Sequence, residues 1–251
     1  MPQIYDFAGT IELQFGVNNN AELKRIVQET WTRVFPAQKR DVDNPVIFGH
    51  VQSLLRTYRS EIGKKAIEIV AQIINEIEDD EERQSYIEQE LTNDAWAYAE
   101  PGSTRAESKG GMRGPGLLAT FAHHQKLTQN IKSSDSRGFP AGAFALCCAA
   151  YVRALEAFKP GYNSIVKARE VENEERARDG RRRASKNTKA SFGEDPWAEV
   201  VAKHYKTTKN IKSLKWEGIF NETARYVTAR KAPAIPEGGE MRPIRSMKRL
   251  S

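Results

Sequence analysis

The sequence predicts an all-α protein: a compact helical core, divisible into two lobes, with an extended arm at each end. Three observations predict it. Apolar residues recur at spacings of three and four through much of residues 20–230, the period of a buried helix face. Helix-start signals, Asn20, Asn44-Pro45 and Asp195-Pro196, stand just ahead of such stripes. The two ends, 1–19 and 231–251, lack the pattern.

In residues 1–19, Ile11, Leu13 and Phe15 alternate with Glu12 and Gln14. That period of two predicts a short strand or an extended arm, able to lie on its own domain or on a neighbouring subunit. Asn20 caps a helix with Leu23, Ile26, Val27, Trp31 and Val34 on one face, stopped by Pro36. Asn44-Pro45 opens a second helix through Ile47, Val51, Leu54, Leu55 and Tyr58. Ile62, Ala66, Ile69, Val70, Ile73, Ile74 and Ile77 mark a third, and the acidic run EIEDDEE (76–82) marks its exposed end and the turn into a fourth. The fourth, around Tyr86 to Tyr98, completes a lobe over 20–100.

The second lobe, 101–230, begins in a loop, EPGSTRAESKGGMRGPG (100–116), without periodicity. Pro115 suits the first turn of a helix bearing Leu117, Leu118, Phe121 and Leu127. A polar loop, KSSDSRG (132–138), precedes the most apolar stretch of the chain, FPAGAFALCCAAYVRALEAF (139–158). Phe144, Cys147, Cys148, Tyr151, Leu155 and Phe158 fall there at helical spacing among alanines. A helix apolar nearly all round belongs in the middle of a domain. Pro160-Gly161 ends it, a charged helix from about Asn163 to Arg178 follows, and Gly180 stops that one. Beyond residues 180–194, poor in apolar residues, Trp197, Val200 and Val201 belong to the next helix. Leu214, Trp216, Ile219, Phe220 and Val227 belong to the last. Residues 231–251 hold three prolines and five basic residues, a basic arm and not a packed element.

With 251 residues, 39% of them hydrophobic and 29% charged, the chain can bury a proper core. The uncharged run Gly138–Val152 is too short to cross a bilayer, and MPQIYDFAGT lacks the layout of a secretory signal. Cys147 and Cys148, adjacent in an apolar helix, read as buried thiols in a reducing compartment. Neighbours on a helix point about 100° apart. Neither that pair nor His123-His124 therefore chelates well, and the spacing zinc prefers is absent. No motif frames a nucleophile. A non-catalytic protein is expected, with no metal, no cofactor and no small-molecule substrate.

Charge is split along the chain. Residues 1–159 carry 18 Lys and Arg against 21 Asp and Glu, whereas residues 160–251 carry 21 against 12. Separation of this kind points to a polyanion for the basic part. Its densest cluster is Arg176, Arg178, Arg181, Arg182, Arg183, Lys186 and Lys189. Arginine forks grip phosphate oxygens bidentately and release counterions. The run RRRASK would also serve nuclear import, and Ser185, two residues beyond the arginines, suits a basic-directed kinase. Five lysines follow at intervals of three: Lys203, Lys206, Lys209, Lys212 and Lys215. On one unbroken helix they would wrap its surface; a break near Thr207-Thr208 would divide them into two patches at a helix–helix junction. Tyr205 and Trp216 among them are candidate stacking faces for bases. Arg105, Lys109 and Arg113 could line a groove, with KGGMRGPG (109–116) as an anion cradle ahead of a helix.

In layout, a helical core with two arms and a basic C-terminal part, the chain resembles nucleoproteins and coat proteins of filamentous and helical RNA viruses. The resemblance implies a structural subunit that oligomerises along single-stranded RNA through its terminal arms. It also implies residence in a virion and the host cytoplasm. A matrix- or scaffold-type protein on acidic lipid or nucleoprotein, and a helical DNA-binding regulator, are the competing expectations.

Overall fold

The computed structural model describes residues 2–12, 21–38, 45–131, 138–159, 192 and 194–228. Helices account for about three quarters of them, as the spacing predicts. They are α1 (Pro2–Thr10), α2 (Ala21–Val34), α3 (Pro45–Asn75), α4 (Asp80–Leu91), α5 (Pro115–Thr128), α6 (Ala141–Phe158), α7 (Glu194–Thr208) and α8 (Ser213–Thr228). A two-stranded antiparallel ribbon, β1 (Tyr98–Glu100) and β2 (Lys109–Gly111), lies between α4 and α5, with Tyr98 opposite Gly111 and Glu100 opposite Lys109.

The apolar segment at 141–158 is the central element. Fifteen of its 18 residues are buried, and α1, α3, α4, α5 and α7 all pack on it. Phe144, Leu146 and Leu155 have no exposed surface. Each large apolar side chain buried in this way contributes about 1.5–3 kcal/mol relative to exposure. Its one charged buried residue, Arg153, lays its guanidinium 5.5 Å from the ring centre of Phe192. That ring also fills the space left by Gly63, where a Cβ would sit 2.8 Å from Phe192 Cδ1.

The two helices expected over 45–77 are one. Val51, Leu55, Tyr58, Ile62, Ala66, Ile69 and Ile73, all buried, follow one another at intervals of three and four. The stripe passes unbroken through Arg59–Glu61, so nothing in the backbone requires a stop there. The 31 residues of α3 rise about 46 Å at 1.5 Å each, enough to lie along both α5 and α6. One apolar core consequently runs from Ile4 to Ile219 and draws on both halves of the sequence.

The N-terminal expectation is corrected over Pro2–Thr10. This segment is a helix, not a strand or extended arm, and it buries Ile4, Phe7 and Ala8 against α5 and α6. Those residues stand three and four apart, a helical signal shorter than the alternation that follows it. Residues 13–19 of the arm, the charged segment 163–178 and the basic arm 231–251 lie outside the described residues.

Acidic residues 79–82 lead from α3 into α4, at the turn expected there. Asp79 Oδ1 accepts hydrogen bonds from the backbone N–H of Glu81 (2.8 Å) and Glu82 (2.9 Å), and Asp80, Glu81 and Glu82 occupy the first turn, where the helix dipole favours negative charge. Arg83 Nε donates to the carbonyls of Ile74 and Ile77, closing the end of α3. The fourth helix therefore stops at Leu91, short of the expected Tyr98. A 3-10 segment, Thr92–Ala97, holds Asn93 and Asp94 at positive φ and turns the chain into β1. Ribbon pairing also replaces part of the unstructured loop expected over 100–116.

Candidate nucleic-acid interface

Residues 203–215 form a corner. Helix α7 ends at Thr208, four residues turn, and α8 starts at Ser213. The break falls one residue beyond Thr207-Thr208 and separates Lys203 and Lys206 on α7 from Lys215 on α8, with Lys209 and Lys212 in the turn. Two hydrogen bonds pin the corner to the core. Thr208 Oγ1 donates to the carbonyl of Ala141 at the start of α6 (2.8 Å), and the Tyr205 hydroxyl donates to the carbonyl of Thr10 at the end of α1 (3.3 Å).

All five lysines are exposed, and none has an ion-pair partner among the described residues. Lys209 Nζ stands 5.8 Å from the ring centre of Tyr205, which is half-buried. The three loop cations are placed differently. Arg105 pairs with Asp94, Lys109 lies 4.0 Å from Glu100, and Arg113 Nε lies 3.2 Å from Glu222 on α8. Each faces a carboxylate, whereas the corner lysines have no ion-pair partner among the described residues. Lys215 Nζ lies 3.8 Å from where a Cβ on Gly111 would stand, which sets the ribbon beside the corner.

Trp216 is corrected as a stacking face. It is 1% exposed, the centre of an aromatic cluster formed with Phe121, Phe139, Phe144 and Phe220. Its fellow in the predicted stripe, Leu214, is 79% exposed and takes no part in the core. The ring that the corner does present is Phe139, 44% exposed and lying parallel to Trp216 at 5.6 Å between centres. Sequence reasoning passed over Phe139 as the start of the core helix; its place two residues before α6, next to a proline, is the only sign that it stands outside.

The KGGMRGPG stretch is not an open cradle. Gly116 and Leu117 in the first turn of α5 are buried. A Cβ on Gly114 would lie 1.9 Å from the Trp96 carbonyl oxygen, and one on Gly116 would lie 2.0 Å from the Tyr151 hydroxyl. These glycines let α5 approach its neighbours. The paired histidines diverge as expected for helix neighbours. His124 is buried, its Nδ1 2.9 Å from the Tyr58 hydroxyl, and burial pulls its pKa down to about 3. His123 faces Glu61 at 3.5 Å. Burial pushes the thiols of Cys147 and Cys148 far above their ordinary range. No group of three or more His, Cys, Asp and Glu could hold a metal among the described residues. The arginine cluster from Arg176 to Arg183, with Lys186, Lys189 and Ser185, lies outside the described residues.

Comparison with known protein families, with curated proteins and with solved structures returns no match.

Proposed function

We propose that this chain is a non-catalytic structural protein that binds single-stranded RNA and assembles along it, in the manner of a nucleocapsid or coat subunit. The observation that carries the reading is the α7–α8 corner. Five exposed lysines with no ion-pair partner among the described residues, next to an exposed phenylalanine ring, combine a surface for phosphate contacts with one for stacking. Because the ring and charges are anchored to α6 through Thr208 and Trp216, the surface is held ready and loses little freedom on binding. Partner RNA, homo-oligomerisation and a virion or host-cytoplasmic location belong to this proposal.

The test is to purify the protein and record its ultraviolet spectrum and electron micrographs. RNA of mixed sequence copurifying with rings or filaments is the expected result. Liposome binding without nucleic acid would replace it with the matrix-type reading, and affinity for discrete duplex sites with the regulator. A lone particle that ignores polynucleotide at low ionic strength would end it.

A further inference from the structure

A cavity of about 360 Å³ opens between α3, α5 and the C-terminal end of α8. That volume lies in the lower part of the range for small-molecule sites. None of the cationic residues singled out from the sequence lines it. Ala119 and Ala122, one turn apart on α5, give it a floor, and Tyr226 supplies an aromatic group at its side. Lys64, Lys65 and Lys126 bring three ammonium groups to it. Lys65 is paired with Glu68 at 3.3 Å. Lys64 and Lys126 are exposed and have no ion-pair partner among the described residues.

One polar group here is poorly satisfied. His123 Nε2 is buried and has no hydrogen-bond partner of good geometry; the nearest acceptor, Glu61 Oε2, stands 3.5 Å away. A contact of that length is weak, and an undersatisfied buried ring nitrogen is costly. A ligand edge that hydrogen-bonds to His123 or Glu61 would remove the cost. Beside the carboxylates of Glu61 and Glu68, the cavity thus combines a small apolar floor, an aromatic ring, polar groups for a heterocycle edge and two lysines outside any ion pair among the described residues. Inorganic phosphate uses only the last of these.

Resting on the RNA-binding reading, we infer that the cavity receives one nucleoside monophosphate unit, with its base between Tyr226 and the alanine floor and its phosphate on Lys64 and Lys126. The unit is either a nucleotide of the bound RNA or a free nucleotide; base and phosphate chemistry is common to both.

The experiment follows the ring protons of His123, assigned with His123→Gln, by NMR of the full chain. AMP, CMP, GMP, UMP, inorganic phosphate and a short single-stranded RNA are added in separate titrations. At least one mononucleotide is expected to shift these resonances saturably, at a Kd about tenfold or more below that of phosphate. The double variant Lys64→Glu, Lys126→Glu, altered only at exposed positions, weakens that binding by about tenfold or more. Tyr226→Leu weakens the nucleotide and leaves phosphate unchanged. A shift with RNA as well as mononucleotide assigns the cavity to the RNA path, and a shift with mononucleotide alone assigns it to free nucleotide. If RNA binds the double variant as tightly as the parent and His123 never moves, the cavity inference fails while the RNA reading stands. If a mononucleotide binds and RNA does not bind even at low salt, the RNA reading fails and the cavity inference stands. Equal Kd values for phosphate and every nucleotide overturn the inference outright.

Discussion

Helix α6 and the α7–α8 corner meet at Thr208 and Ala141, yet they obey opposite rules. In α6 nearly every side chain is enclosed, and the few polar groups around it are neutral or matched. At the corner the five lysines face water, with no ion-pair partner among the described residues, whereas Glu100 and Glu222 stand against Lys109 and Arg113. Stability is concentrated in the first region and binding potential in the second. Only a handful of anchors, Thr208, Tyr205 and the Trp216 cluster, serve both.

Breaking the enclosed side of this comparison has the largest effect. Phe144→Ala removes a fully buried ring in contact with Phe121 and Trp216 and is expected to cost about 3–5 kcal/mol, read as a lower urea midpoint at constant m value. Because Trp216 loses a neighbour, its fluorescence changes as well, whereas the corner lysines stay where they are.

Acid comes next. With His124 held neutral in the fold down to about pH 3, the unfolded chain binds a proton that the folded one refuses. Stability therefore falls as pH drops from about 6.5 towards 3, by a few kcal/mol. Glu90 acts in the opposite sense. Burial raises its pKa to about 7, so its contribution is lost as pH rises from the ordinary carboxylate range to 7. Between these limits the two slopes offset each other. In thermal melts against pH, Glu90→Gln should expose the His124 slope as a decline starting near pH 6.5; an unchanged profile would refute this balance.

A smaller loss is expected from Gly116→Ala, whose Cβ would collide with the Tyr151 hydroxyl. Overpacking of this kind costs about 1–3 kcal/mol, and because ring carbons Cζ and Cε2 of Tyr151 also lie within 2.3 and 2.6 Å of that Cβ, pairing it with Tyr151→Leu should restore part of the loss in a double-mutant cycle. On the exposed side, the triple variant Lys209→Gln, Lys212→Gln, Lys215→Gln should move stability by no more than about 0.5 kcal/mol. It should nevertheless lower the slope of log K against log salt for single-stranded RNA by about 2, at about 0.7 per phosphate contact. A full slope in that variant would show that the corner makes no phosphate contacts.

Much of the helical framework was legible in the residues. Asn44-Pro45, Pro115 and the Phe144–Phe158 stripe mark helices that the fold contains, since capping and periodicity act over a few residues. The site was legible in part. The spacing of the five lysines left two arrangements open, a wrap around one helix or a split at a helix–helix junction near Thr207-Thr208, and the fold takes the second. Trp216 reads both as part of the last helix's apolar face and as a candidate stacking face; the first holds and the second does not, with Phe139 the more exposed ring beside it, because only packing decides which aromatic near a helix start is covered.

By itself the sequence determined the helical class and the buried helix at 141–158. Each of these follows from local backbone preference and from the side chains within a turn or two. Tertiary structure alone decided that Trp216 is covered, that Arg105, Lys109 and Arg113 face carboxylates, and that Lys64, Lys126, His123 and Tyr226 share a cavity. Those outcomes depend on groups distant along the chain meeting in space, and contact between distant groups leaves no period or spacing to read.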